Sequence, residues 1–157
     1  MSADHLDDKV LSANLAAFFG ADHTACDADW ADTEAAVAQG AAAASAAWQH
    51  FDGALRNHLA MEEEVLFPAF EARTGMTQGP TTVMRMEHTQ MRGLLDQMAT
   101  LARSGAWQDL LDQGDTLLMI IGQHNAKEEG MLYPMAQDYL AAEWPALRDR
   151  LLQGYKR

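Results

Sequence analysis

The chain has 157 residues, a single cysteine and a formal charge of −12, from 11 basic and 23 acidic side chains. That length suits one domain with a real core, and a surface so negative repels phosphate backbones and anionic lipid heads, which argues against nucleic acid and membranes as partners. Cys26 alone builds no disulfide framework, no apolar run approaches the roughly 20 residues that span a bilayer, and the start "MSADHLDDKV" is acidic where a secretory leader is basic, so a cytoplasmic setting is expected.

Ala, Leu, Met, Glu and Gln dominate and β-branched runs are lacking, which predicts an all-α fold. In chain order, a short helix is expected over residues 4–19, with Asp4 as its cap and Asp7 and Asp8 in its first turn. Gly20 and Gly40 bracket a first long helix near 21–39. A second runs near 42–73 and stops at "TGMTQGP", Thr74 to Pro80. A third covers about 82–103, "RSGAW" turns the chain, a fourth covers about 107–140, and a last short helix follows at 145–155. Four long helices with short connections predict an antiparallel up-and-down four-helix bundle with short additional N- and C-terminal helices. Pro68 and Pro134 each fall inside a helical pattern, and lacking an amide hydrogen each is expected to kink or end its helix.

The chain repeats itself. "HLAMEEEVLFP", His58 to Pro68, matches "HNAKEEGMLYP", His124 to Pro134, as H-x-x-x-E-E-x-x-L-[FY]-P. "DHT" at Asp22 to Thr24 likewise matches "EHT" at Glu87 to Thr89. The spacings are 65 residues for His23 to His88 and 66 for His58 to His124. Residues 1–157 are therefore expected to form one domain, with a core bundle over about 21–140 built from two copies of a helical hairpin, 21–74 and 82–140.

Positions i and i+4 of a helix lie about 40° apart and one turn along, so His58 shares a face with Glu62 and His124 with Glu128. The stripe through His58 carries Phe51, Leu55, Val65 and Ala69; that through His124 carries Leu117, Ile121, Met131 and Met135. Met84, His88, Met91, Leu95 and Met98 line the third helix, and Phe19, His23, Cys26, Trp30 and Val37 the first. His23, His58, Glu62, His88, His124 and Glu128 thus all point into the apolar interior. Buried carboxylates are costly unless neutralised, and no Lys or Arg shares these stripes. A pair of metal ions resolves the difficulty, with neutral imidazole nitrogens and ionised carboxylates as ligands and Glu62 and Glu128 bridging. The bland alternative, a satisfied core or surface histidine, accounts for any one of the four but poorly for all of them in register with a duplicated Glu pair.

The Glu-x-x-His pattern of ferritin-like centres and the H-E-x-x-H of zinc proteases are both absent, and a thiolate site needs more than Cys26. Imidazole and carboxylate ligation suits iron best, with manganese or zinc less so. His50 lies too far along its helix from His58 for the same ion, and His5 is expected to be solvated. Cys26 and Asp27 neighbour His23 as weaker candidates. Glu63 and Glu129 are expected at helix flanks, hydrogen-bonded or facing water.

These residues, Asp22-His23, His58-x-x-x-Glu62-Glu63, Glu87-His88 and His124-x-x-x-Glu128-Glu129 in order on successive helices, resemble the hemerythrin family, in its bacterial HHE cation-binding branch. The resemblance covers about Asp22 to Tyr139. It implies two iron ions, Fe2+ or Fe3+, in an oxo- or hydroxo-bridged non-haem di-iron centre. It further implies a small diatomic or peroxide ligand, such as oxygen, nitric oxide or peroxide, bound for sensing, storage or stress response. Two alternatives are kept: a di-iron enzyme that reduces peroxide or nitric oxide or donates iron for iron–sulfur cluster repair, and an interaction module that needs metal only for stability. Arg92 stands four residues after His88, where oxygen carriers have a second imidazole. Those carriers also take their last carboxylate five residues after its His; the repeat and the helix geometry here choose Glu128 over Glu129. The redox partner and the oligomeric state are left open.

Overall fold

A computed structural model describes residues 14–155, and among these there is helix and short connection but no strand. Helix α1 (Leu15–Val37) starts at Asn14, whose side-chain oxygen accepts from the Ala17 amide at 2.9 Å. The break expected at Gly20 does not occur. A glycine inside a helix costs only about 1 kcal/mol, and Phe18 and Phe19 just before it stack on Trp144 with centroids 5.5 and 6.5 Å away. Residues 15–19 are therefore the first turns of the long helix, not a separate short one; Asp4, Asp7 and Asp8 lie outside the described residues. Gly40 does break the chain, with a φ of 119° that L side chains rarely adopt.

Helix α2 (Ala41–Met61) passes through a π-turn (Glu62–Leu66) into α3 (Phe67–Thr74). Helix α4 spans Pro80–Arg103. Helix α5 (Trp107–Lys127) passes through a second π-turn (Glu128–Leu132) into α6 (Tyr133–Tyr139), and α7 covers Trp144–Gly154. Pro68 and Pro134 thus do not end their helices. Each lies just past a π-turn in which the preceding aromatic's amide reaches back five residues, Phe67 to the Glu62 carbonyl and Tyr133 to that of Glu128. Carbonyls left over by the widened turn find other donors: Arg85 reaches that of Glu63 and Arg150 that of Glu64, each at 3.4 Å.

Met131, expected in the core, is 49 % exposed, while Leu132, Tyr133 and Ala136 are buried. Val65, at the matching position of the first π-turn, is buried as expected, so the two halves differ here.

The helices pack as a bundle, α1 against α2 and α4 against α5, with α1 also touching α5 and α6 and α2 touching α4. Two apolar layers result. One gathers Phe18, Phe19, Phe67, Phe70, Leu132 and Trp144 at the end closed by α7; the other gathers Trp30, Trp48, Phe51, Leu95, Met98 and Leu117. Gly114 lets the second layer close, because a Cβ there would fall 2.2 Å from the Trp30 ring. Between these layers, on the turns that hold the repeated motifs, lies a polar slab. No helix among the described residues is long and apolar enough to cross a membrane.

Candidate metal centre

The polar slab brings together all six residues singled out from the repeat. His23, His58, Glu62, His88, His124 and Glu128 are buried, none more than 5 % exposed. Glu62, His88, His124 and Glu128 each offer an atom within 4.8 Å of every other, and His23, His58 and Glu128 do the same. The π-turns account for part of this. They begin at Glu62 and Glu128, directly after the α-helical turns that carry His58 and His124.

Each ring uses its two nitrogens differently. The Nδ1 of His58 donates to Asp22 at 2.8 Å, that of His124 to Glu87 at 2.9 Å and that of His23 to Glu129 at 3.0 Å. A carboxylate only accepts, so these nitrogens carry hydrogen and the opposite Nε2 of a neutral ring presents a lone pair. Those Nε2 atoms face inward: His58 stands 3.1 Å from Glu62 Oε1, while His124 and His23 stand 3.0 and 3.2 Å from Glu128 Oε1. His88 Nε2 lies 3.4 Å from Glu62 Oε1 and 3.2 Å from His124 Nε2.

Lone pairs aimed at lone pairs repel unless a cation or a proton lies between them. His58 Nε2, Glu62 Oε1, His88 Nδ1 and Glu128 Oε2 are buried without a hydrogen-bond partner. Close approach between His58 Nε2 and Glu62 Oε1 does not amount to a hydrogen bond, because the angle is wrong. The spacings suit a metal. Two donors about 2.1 Å from one cation and at right angles to each other stand about 3.0 Å apart. Neutral imidazole and ionised carboxylate are also the ligand types that divalent transition metals take. The residues present therefore fit a bound cation.

Without one, protons do the same work. Burial alone depresses the His58 pKa, but the charge of Glu62 and the hydrogen bond that the ring donates to Asp22 outweigh it and hold the ring well above its ordinary value. His124 is raised in the same way, against burial, by Glu128 together with Glu62 and Glu87. Burial would raise Glu62, but the His58 charge and the polar groups of Glu128, His58 and His88 close by keep it well below the usual carboxylate range.

The sequence names Asp22, Glu87, Glu63 and Glu129 but not the partners that the structure gives them. Asp22 and Glu87 each orient the histidine of the next helix, while Glu129 orients a histidine of the opposite half. Glu63, its counterpart, stands 3.7 Å from His88 Nδ1, drawn off by a two-pronged ion pair with Arg92 at 2.9 Å. The signal was present in the acid before each single histidine and the second glutamate of each pair. Carboxylates of this kind fix the tautomer and raise the basicity of metal-bound histidines.

Tyr133 is the other addition. Its hydroxyl lies 2.9 Å from Glu62 Oε2, 3.2 Å from Glu128 Oε1 and 3.0 Å from His23 Nε2. Burial and the two carboxylates push its pKa well above the ordinary value, which keeps it a neutral donor.

The weaker candidates stand aside. His50 is half exposed and meets Asp29 at 3.2 Å, away from the centre. Cys26 is a buried thiol, in no disulfide, in the apolar layer beside the histidines. Asp27 is exposed, and His5 lies outside the described residues.

Comparison with known proteins gives the family. The family model described as "Hemerythrin HHE cation binding domain" matches residues 14–136. No curated protein and no solved structure matches the chain. With matched residues spanning all six side chains of the polar slab, the chain belongs to the hemerythrin family and carries its HHE cation-binding domain.

Proposed function

We propose that the protein is a hemerythrin-like non-haem di-iron protein: a single domain, built as an antiparallel up-and-down four-helix bundle of two duplicated hairpins, that binds a small ligand such as oxygen, nitric oxide or peroxide. His23, His58, Glu62, His88, His124 and Glu128 would hold the metal. Iron, when bound, supplies reversible electron exchange with that ligand.

One observation carries the reading: three imidazole nitrogens whose far sides are tied to carboxylates turn their lone pairs onto two further buried carboxylates. Beside them lies an apolar chamber between His58, His124, Phe51 and Met91, with a volume of about 10 Å³, space for one water-sized guest. A small uncharged ligand suits that space.

Metal analysis of aerobically purified protein tests the proposal. It predicts about two irons per chain and ferric charge-transfer absorption in the near ultraviolet. Glu62→Ala and Glu128→Ala each lower occupancy, and His5→Ala does not. A colourless protein that never takes up iron on reconstitution overturns it.

Tyr133 favours a second reading, turnover. A neutral hydroxyl within hydrogen-bond reach of two carboxylates and an imidazole can pass a proton inward. Steady-state consumption of peroxide or nitric oxide distinguishes turnover from binding.

A further inference from the structure

The two halves agree at the centre and differ at its flanks. Between α1 and α5 the surface opens into a hollow of about 520 Å³, with Thr24, Asp27, Gly122, Asn125 and Glu129 in its walls. His23, Asp27, Leu118, Ile121 and Asn125 line both this hollow and the buried chamber, so only these side chains stand between the two. At the inner end stands His58, 2 % exposed, its Nε2 without a partner.

The 65- and 66-residue offsets identify the matching positions on the opposite flank, between α4 and α2. Asp27 corresponds to Arg92, Gly122 to Arg56 and Leu118 to Asp52. Arg92 is clamped to Glu63 at 2.9 Å. Arg56 reaches both Asp52 on its own helix and Asp96 on α4, each at 2.8 Å, and so straps the two helices together. Where one flank has two arginines in ion pairs, the other has an aspartate and a glycine. The open flank carries two carboxylates, Asp27 and Glu129, and no Lys or Arg in its walls.

We propose that the hollow between α1 and α5 is the route by which divalent cations and uncharged small ligands reach the His/Glu centre, and that Asp27 makes it select cations over anions. The inference rests on the metal-centre reading above and adds to it a path and a charge preference. Physically, carboxylates lining a concave surface with no neighbouring cation raise the local concentration of cations and lower that of anions. Gly122 keeps the mouth clear, since a Cβ there would meet nothing within 4 Å. A larger side chain can therefore be introduced at this wall position without a clash at its Cβ.

Stopped-flow uptake of ferrous iron by the metal-free chain, without oxygen, is the test, together with azide binding to the ferric-loaded chain as an anion probe. Asp27→Asn is expected to slow iron uptake by roughly three- to tenfold and to speed azide association, with the same final iron content. Added salt narrows the difference between wild type and Asp27→Asn. Gly122→Phe slows both iron and azide, whereas Gly53→Phe, an equal apolar addition in open space on α2, slows neither. Should wild-type protein fill with iron while Asp27→Asn and Gly122→Phe fill at its rate, the route is wrong and the metal centre stands. Should wild-type protein take up no iron at all, both fail together.

Discussion

Tyr133 lies against His23 as Phe67 lies against His88: ring centroids are 5.5 and 5.4 Å apart, with interplanar angles of 31° and 30°. The two aromatics hold the same place in the repeat, and only Tyr133 adds a hydroxyl. That oxygen is the chemical difference between the two rings, and its one hydrogen lies within reach of both the Glu62 and Glu128 carboxylates.

Tyr133→Phe therefore installs in one half the ring that the other half already accommodates, so the fold should survive. In the metal-free chain the two carboxylates lose a donor, at a cost of about 1–3 kcal/mol. In the loaded protein the cations satisfy those oxygens and the loss shrinks. Thermal melts of Tyr133→Phe with and without metal check this. An equal loss in both states would show that the hydroxyl serves packing alone.

The carboxylates behind the histidines should differ by exposure. Asp22 holds the His58 ring in a buried setting and Glu87 holds His124, so Asp22→Ala and Glu87→Ala should each weaken metal binding by about 10- to 100-fold. The Glu129 side chain is 51 % exposed, and water replaces it on His23 Nδ1. Glu129→Ala should cost distinctly less. Competition against a chelator of known affinity ranks the three, and a larger effect for Glu129 than for Asp22 would contradict the ranking.

Much of this centre was legible because a repeat imposes its own test: four histidines at offsets of 65 and 66 residues cannot all be incidental. Apolar stripes around His23 and His88 likewise followed from helical periodicity, since α1 and α4 are regular where those residues sit. What escaped notice was whatever depends on a departure from regular spacing or on a partner from another helix. Periodicity announces neither a π-turn nor the outward turn of Met131, whose counterpart Val65 is buried, and it gives Tyr133 no role beyond its match to Phe67. No linear spacing joins Glu129 to His23 across 106 positions. Gly20 was misjudged as a break because local propensity was given more weight than the packing of Phe18 and Phe19.

Gly114 should prove as sensitive as any site residue while remaining outside the chemistry. Its Cβ position lies 2.2 and 2.3 Å from two carbons of the buried Trp30 ring, which has no room to retreat beside Phe51 at 5.0 Å. Gly114→Ala is expected to destabilise by about 1–3 kcal/mol through overpacking, against the small gain that Ala brings to an exposed helix. Chemical denaturation of the metal-free variant measures it. Metal content per folded chain should not change, because α5 still presents His124 one layer away; a variant as stable as the parent would mean that the ring turns aside freely.

Acid and base should act oppositely on the empty and the loaded protein. His58 and His124 are raised above 6.5 in the folded chain, so their contribution to the metal-free fold is complete below that value and fades as pH climbs through the raised pKa. Glu62 is depressed below 4.5, so its contribution is complete above that value and fades as pH falls through the depressed pKa. The metal-free chain should thus be most stable in mildly acidic solution and lose stability toward pH 8, once the buried imidazolium protons that separate its carboxylates are stripped away. In the loaded protein cations occupy those positions, and metal must compete with protons for the same nitrogens. Its stability should rise from about pH 5 toward pH 8, with proton release when metal is added near neutrality. Melting temperatures of chelated and loaded protein across this range should therefore converge at the acid end and diverge at the alkaline end. Parallel profiles would mean that protons and metal do not share the same atoms.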